Sequence, residues 1–258
     1  MKLLIPSLLS LFLIAYGGDS STSASNSDDG GNSSEFGRRV VIPGTSSSVV
    51  VIPGSTGNLT DTRDGQTYKT VTIGTQTWMA QNLNYETANS YCYGDNASNC
   101  TKYGRLYTWA AAMDSAGTWS TNGKGCGYGK ACSVASAGSA TLVRGVCPEG
   151  WHLPSKAEWE TLFNAVGGQS TAGKVLKSTS GWNSSGNGSD VFLFSALPAG
   201  NRDDDGSYYN QGIYALFWSS TEFDSNLAYY MFLYYNRDYA LLDGHSKNYG
   251  FSVRCLKD

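Results

Sequence analysis

The sequence predicts an α+β domain in which early helices pack on a late, twisted antiparallel sheet, stabilised by disulfides and carrying long loops. Three observations predict it. Ser155-Lys156-Ala157-Glu158 reads as a capping box, and Trp159, Leu162, Phe163 and Val166 follow at helical spacing until Gly167-Gly168. Beyond Asp190 the pattern changes to short aromatic and β-branched runs separated by polar Asp/Asn/Gly loops, which reads as strands. Six cysteines, an even number, all stand at or after Cys92. Helices first and strands later make an α+β arrangement rather than alternating βαβ units.

Taken in order, residues 1–17 read as a signal peptide. Lys2 precedes the apolar runs Leu3–Ile5 and Leu8–Ala15 with no acid among them, and the stretch is too short for a stable membrane span. Leu13-Ile14-Ala15 before Gly17-Gly18-Asp19-Ser20 resembles a bacterial lipoprotein signal. Tyr16 occupies the position where that pattern needs a cysteine, so the thiol that would carry lipid is missing. Cleavage after Gly17 would release a secreted protein; membrane attachment is expected only if the signal is retained as an N-terminal anchor. Residues 18–59 read as a disordered Ser/Asn/Gly tether and a spacer. The tether holds too little apolar surface to repay its ordering entropy. The spacer repeats Val40-Val41-Ile42-Pro43-Gly44 as Val50-Val51-Ile52-Pro53-Gly54, two copies being too few for a solenoid.

Residues 60–258 hold the domain. Tyr68, Val71 and Ile73 before Gly74, with Trp78 and Met79 after it, predict a hairpin. The Ala-rich run Leu106–Met113 predicts a two-turn helix, the capping-box helix follows, and Lys174–Lys177 predicts a further short turn. Strands are expected over Val191–Leu197, Ala215–Ser220, Ala228–Tyr235, Tyr239–Leu242 and Tyr249–Leu256. Alternation on Ala228–Tyr235 would turn Tyr230, Phe232 and Tyr234 to the core, with Tyr229, Met231, Leu233 and Tyr235 on the other face. The cysteines allow fifteen pairings; the one adopted joins Cys92 to Cys100, Cys126 to Cys132 and Cys147 to Cys255, closing two small polar loops and tying the domain's middle to its end. Zinc is the competing reading, but Cys-x7-Cys and Cys-x5-Cys are not structural-zinc spacings.

Composition removes several functions. The 258 residues are only 15% charged, with 18 Lys and Arg against 21 Asp and Glu for a net −3, where ordinary domains carry about 25% charged residues. Nothing here wraps phosphates, so nucleic acid is not an expected partner. Two histidines are too few for a three-imidazole site. Low charge favours neutral partners such as sugars.

Six motifs, DGQTY from Asp64, WMAQNLN from Trp78, GRLYTWAAAM from Gly104, CPEGWHLP from Cys147, FWSST from Phe217 and GFSVRC from Gly250, resemble in order the Fibrobacter succinogenes major paralogous domain. That resemblance covers about residues 60–258. It implies a repeated surface or secreted module, and more distantly a C-type-lectin-like fold similar to formylglycine-generating enzymes and to retroelement-diversified ligand-binding proteins. The catalytic relatives need a C-terminal cysteine pair for copper or three histidines for iron. Cys255 stands alone in the last hundred residues, and only His152 and His245 are present.

The candidate sites are therefore non-catalytic. His152 reads as a buried, hydrogen-bonded imidazole. Glu158 is engaged in the capping box, which leaves no free carboxylate pair with Glu160 for glycoside hydrolysis. Asn201-x-Asp203-x-Asp205-Gly206 places oxygens at alternate positions as calcium loops do, although Gly212 stands where the bidentate glutamate belongs. Calcium is thus the one candidate ion, at Asn201, Asp203 and Asp205. Nine of the 17 tyrosines lie between Tyr208 and Tyr249, and tyrosine offers a flat apolar face with a hydroxyl at low entropic cost. The expected ligand-binding surface comprises Tyr208, Tyr209, Asn210, Glu222, Asn236, Arg237, Asp238, Tyr239 and His245, in late loops. The expected function is an exported, non-enzymatic binding or adhesion module on the outer cell surface or secreted, recognising extracellular polysaccharide or a surface protein. A polysaccharide-active or oxygen-dependent enzyme and a structural cell-envelope protein are the alternatives.

Overall fold

The computed structural model describes residues 39–40, 50–51, 55–136 and 138–258, the first two pairs as backbone alone. The signal-peptide, tether and most of the repeat readings lie outside the described residues. Of the repeat, β1 (Arg39–Val40) pairs antiparallel with β2 (Val50–Val51). β3 (Thr56–Thr60) begins inside the segment read as spacer and pairs along its whole length with β4 (Thr67–Ile73).

β4 turns at Gly74 into β5 (Gln76–Met79). Gly74 has φ of +61°, a left-handed conformation that favours glycine. β6 (Ser90–Tyr91), α1 (Ala97–Tyr103), β7 (Leu106–Tyr107) and α2 (Trp109–Ala112) follow. The helix expected over Leu106–Met113 thus shortens to one turn. Leu106 and Tyr107 are drawn into a strand, and Thr108 caps what remains by accepting from the Ala111 amide.

β8 (Trp151–His152) precedes α3 (Lys156–Ala165), where the capping box forms in full: Ser155 accepts from the Glu158 amide and Glu158 from the Ser155 amide. α4 (Gln169–Leu176) extends the short turn expected at Lys174–Lys177. Val191–Leu197 is not the expected strand. Asp190 accepts from the Ser195 amide and hydroxyl, and Asp190, Leu193 and Ser195 all take positive φ, so the run is wound into turns. β9 (Asn201–Arg202) and β10 (Tyr208–Tyr209) form a small hairpin. β11 (Tyr214–Glu222), β12 (Leu227–Tyr234) and β13 (Ala240–Ser246) form the main meander. Tyr249–Leu256 makes isolated bridges at Gly250, Phe251 and Ser252 before β14 (Leu256–Lys257), rather than one strand.

β14 inserts between β5 and β8, completing a five-stranded antiparallel sheet in the order β3-β4-β5-β14-β8. The architecture is α+β, with disulfides at Cys92–Cys100, Cys126–Cys132 and Cys147–Cys255. Disulfides persist in oxidising compartments, which fits an exported domain. No helix among the described residues is long and apolar enough to cross a membrane.

The β11-β12-β13 meander is packed on both faces: Tyr230 and Phe232 meet a core as expected, but Met231 and Leu233 on the other face are buried as well. Met231 and Leu233 are wholly buried with Phe217, Trp78, Trp159 and Leu162 under α3 and α4. Tyr230 and Phe232 lie on the opposite face with Trp218, Phe251 and Trp109. Helix packing claims the aliphatic side, so the aromatic side is left to meet the loops.

Candidate functional site

On that aromatic face the loops enclose a cleft of about 390 Å³. β11 contributes Tyr214 and Leu216, β12 Tyr230 and Phe232, β13 His245, and the following segment Tyr249 and Phe251; Asn201, Asp203 and Asn210 come from the β9–β10 hairpin and its exit. The strand register explains the convergence. Leu216 stands opposite Phe232, and Ala228 opposite His245, so alternate residues of three strands share one face. The rings pack on each other: Tyr230 on Phe232 at 5.5 Å, Tyr230 on Phe251 at 5.2 Å, and His245 on Tyr249 at 4.3 Å between centroids.

The hairpin carrying Asp203 is anchored on both sides. Arg202 exchanges backbone hydrogen bonds with Gly250 at 3.0 and 2.7 Å, and Asn210 donates from Nδ2 to Asn201 Oδ1 at 2.7 Å. The Tyr208 hydroxyl donates to Asp95 at 2.5 Å while its ring lies 5.3 Å from Tyr93, on the loop closed by Cys92–Cys100. Arg202 places its guanidinium over the Tyr91 ring at 3.9 Å.

Burial pushes the His245 imidazole below its ordinary value, against the pull of Asp203 and Asp243, and its Nδ1 is buried with no partner among the described residues. Burial, then Asp205 and Asp204, pushes the Asp203 carboxyl up. The Tyr230 phenol is pushed up to about 12, first by burial and then by Asp243 and Tyr214. The cleft thus holds a neutral imidazole, ring faces and a carboxylate under repulsion from its neighbours.

Residues 71–257 match the family described as the Fibrobacter succinogenes major domain. The chain belongs to this family. No curated protein and no solved structure matches it.

In this Fibrobacter succinogenes major domain, the expected ligand-binding residues divide. Asn210 and His245 line the cleft together with Asn201 and Asp203. His245 sits on β13 rather than in a loop. Tyr208 is engaged by Asp95, and Tyr209 beside it is exposed. Glu222 is corrected to a structural role: its carboxylate accepts from the Cys132 amide and from Lys247 Nζ. Asn236, Arg237, Asp238 and Tyr239 form the β12–β13 turn outside the cleft. Lys177 donates to the carbonyls of Tyr234, Tyr235 and Arg237, and the Lys174 amide donates to that of Asp238, so this turn is docked on α4.

The calcium set does not converge as an oxygen cage. Asn201 donates to Asp203 and accepts from Asn210, while Asp205 accepts from the Ser207 amide. Among the described residues no group of three or more His, Cys, Asp or Glu side chains is placed to hold a metal ion. His152 is buried with both nitrogens engaged, Nδ1 to Asp258 at 2.7 Å and Nε2 to Glu158 at 2.9 Å. What the sequence reading missed is the aromatic lining itself: Tyr214, Tyr230, Phe232, Tyr249 and Phe251. The i, i+2 aromatics of β12 were the available signal, and only the cross-strand register tells which side they take.

Proposed function

We propose that this domain is a non-catalytic binding module of an exported protein, displayed at the cell surface, that seats a polysaccharide chain in the aromatic cleft. One observation carries the reading: the rings of Tyr214, Tyr230, Phe232, Tyr249 and Phe251 line an open cleft of about 390 Å³ beside the amides of Asn201 and Asn210. Ring faces stack on the apolar face of a sugar, and amides and phenol hydroxyls bond its hydroxyls. The engagement of both His152 nitrogens and of the Glu158 carboxylate by protein groups supports a binding rather than a catalytic role. The signal-peptide pattern and three disulfides support export. The pairing of β14 with both β5 and β8, which leaves the late loops displayed, supports a C-type-lectin-like scaffold.

Retention of the purified protein on insoluble cellulose, xylan, chitin and chitosan tests this. Retention on at least one glycan is expected, weakened about tenfold by Tyr249→Ala or Phe232→Ala, the scale of a lost stacking contact. Tyr209→Ala, outside the cleft, is expected to bind normally. Failure of every glycan to retain the protein, or equal retention by the cleft variants, overturns the reading.

A further inference from the structure

The cleft does not share the near-neutral charge of the chain. Asp203 lines it, and no lysine or arginine does. Asp204 and Asp205 follow Asp203 and act with it on the Tyr249 phenol, while Asp243 stands directly opposite Tyr230 in the β12–β13 register. The neighbouring cations are turned to other partners. Arg202 stacks over Tyr91 and lies within 5.9 Å of the Tyr208 ring centroid; Lys247 is buried over Trp109 and paired with Glu222. One carboxylate, Asp203, therefore lines the aromatic cavity and three more, Asp204, Asp205 and Asp243, stand near enough to act on its phenols, with no lysine or arginine among the lining residues. The His245 Nδ1 adds a buried polar atom that no described residue satisfies.

Aromatic faces carry the negative lobe of the ring quadrupole and attract ammonium groups, the more so where water is excluded. A carboxylate at the rim of such a cavity adds direct charge pairing. We infer that the cleft is built for a glycan that carries free amino groups, its ammonium resting among the part-exposed Tyr214, Phe232 and Tyr249 rings with Asp203 as counter-ion. The inference rests on the glycan-binding reading and sharpens it: uronate-bearing chains are repelled, uncharged chains lack the charge term, and protonated amino sugars gain it. The neutral His245 fits the same choice, since an imidazolium there would oppose the ligand. A second groove, of about 610 Å³, differs in this respect, being lined by Lys69 and Lys102 with Asp190 as its one acid.

Titration calorimetry with glucosamine oligomers and with their N-acetylated counterparts tests the inference, just below neutral pH where the amines carry protons. The amine form is expected to bind about tenfold more tightly, one cation–π contact's worth of affinity, and added salt is expected to narrow the gap. Asp203→Asn is expected to abolish the preference, bringing the affinity for the amine form down to about that for the acetylated oligomer. Asp243→Asn, on an exposed strand position, is expected to reduce it in part. Equal or weaker binding of the amine form, or a preference that survives both substitutions, overturns the inference and leaves the glycan reading standing. Binding of neither oligomer, with no retention on cellulose or xylan, overturns the glycan reading itself.

Discussion

Lys247 Nζ lies 2.5 Å from Glu222 Oε1, with the lysine side chain wholly buried and the glutamate 11% exposed. The ammonium also donates to the carbonyls of Lys130 and Ser225 at 3.2 and 3.0 Å, so one cation gathers the Cys126–Cys132 loop and the β11–β12 turn. Removing one partner of such a pair leaves an uncompensated buried charge, which costs about 3–5 kcal/mol, whereas replacing both is far less costly. Glu222→Gln is therefore expected to lower the unfolding free energy by about 3 kcal/mol in urea titrations. Adding Lys247→Met to it is expected to recover much of that loss. A double variant as unstable as the sum of the singles would sink the pairing.

The Asp258–His152–Glu158 clamp makes stability depend on pH. Burial disfavours the charged imidazole, but hydrogen bonds to Glu158 and Asp258 outweigh it and hold His152 above its ordinary 6.5. Burial likewise opposes ionised Glu158, and the His152 and Ser155 bonds outweigh it and hold that carboxyl below 4.5. A raised folded-state value contributes stability in full below 6.5 and loses it as pH climbs through the folded value. A lowered one contributes above 4.5 and loses it as pH falls through the folded value. Both contributions coexist between 4.5 and 6.5. The stability difference between the protein and His152→Gln is expected to be largest in that window and to shrink on either side. A difference flat with pH would refute it.

The parts of the fold legible in sequence were those decided locally. The capping box at Ser155 and Glu158 needs only residues three apart, and the Gly74 hairpin needs only a turn between two apolar runs. Val191–Leu197 was misread because Asp190 and Ser195 bond each other and the buried Arg254 holds the carbonyls of Phe194 and Ser195, a partnership sixty residues long. The cleft was half legible for the same reason. Asn201, Asp203, Asn210 and His245 stand out as polar groups among tyrosines, whereas the side taken by Tyr230 and Phe232 depends on which face α3 and α4 cover. Glu222 looked free because its partner, Lys247, stands 25 residues on.

The disulfides are expected to differ in weight. Cys147–Cys255 spans 108 residues and Cys92–Cys100 spans 8. Loop-closure entropy assigns about 5 kcal/mol to the first and about 2.5 kcal/mol to the second. Paired Cys→Ala variants measured by urea unfolding test that order. Loss of Cys92–Cys100 is also expected to weaken ligand binding, because its loop carries the Tyr93 and Asp95 on which Tyr208, and with it the Asp203 hairpin, is seated. Normal affinity in that variant would show that the hairpin holds itself.

Gly173, inside α4, offers a test in which helix propensity and packing pull in opposite directions. Alanine is favoured over glycine in a helix by about 1 kcal/mol, so an isolated α4 would gain from Gly173→Ala. In the folded domain an added Cβ would stand 2.3 Å from the Tyr239 carbonyl oxygen and 2.9 Å from the Asp238 carbonyl carbon. Those are backbone atoms of the turn that Lys177 and the Lys174 amide hold against the helix, so neither side can yield without breaking hydrogen bonds. Overpacking of this kind costs about 1–3 kcal/mol, which exceeds or cancels the propensity gain. Gly173→Ala is therefore expected to lower the melting temperature, and Gly173→Ser to lower it further. The aromatic cleft lies on the opposite face of the meander, so glycan affinity below the transition is expected to stay unchanged. A rise in melting temperature would mean that the β12–β13 turn is not seated on α4.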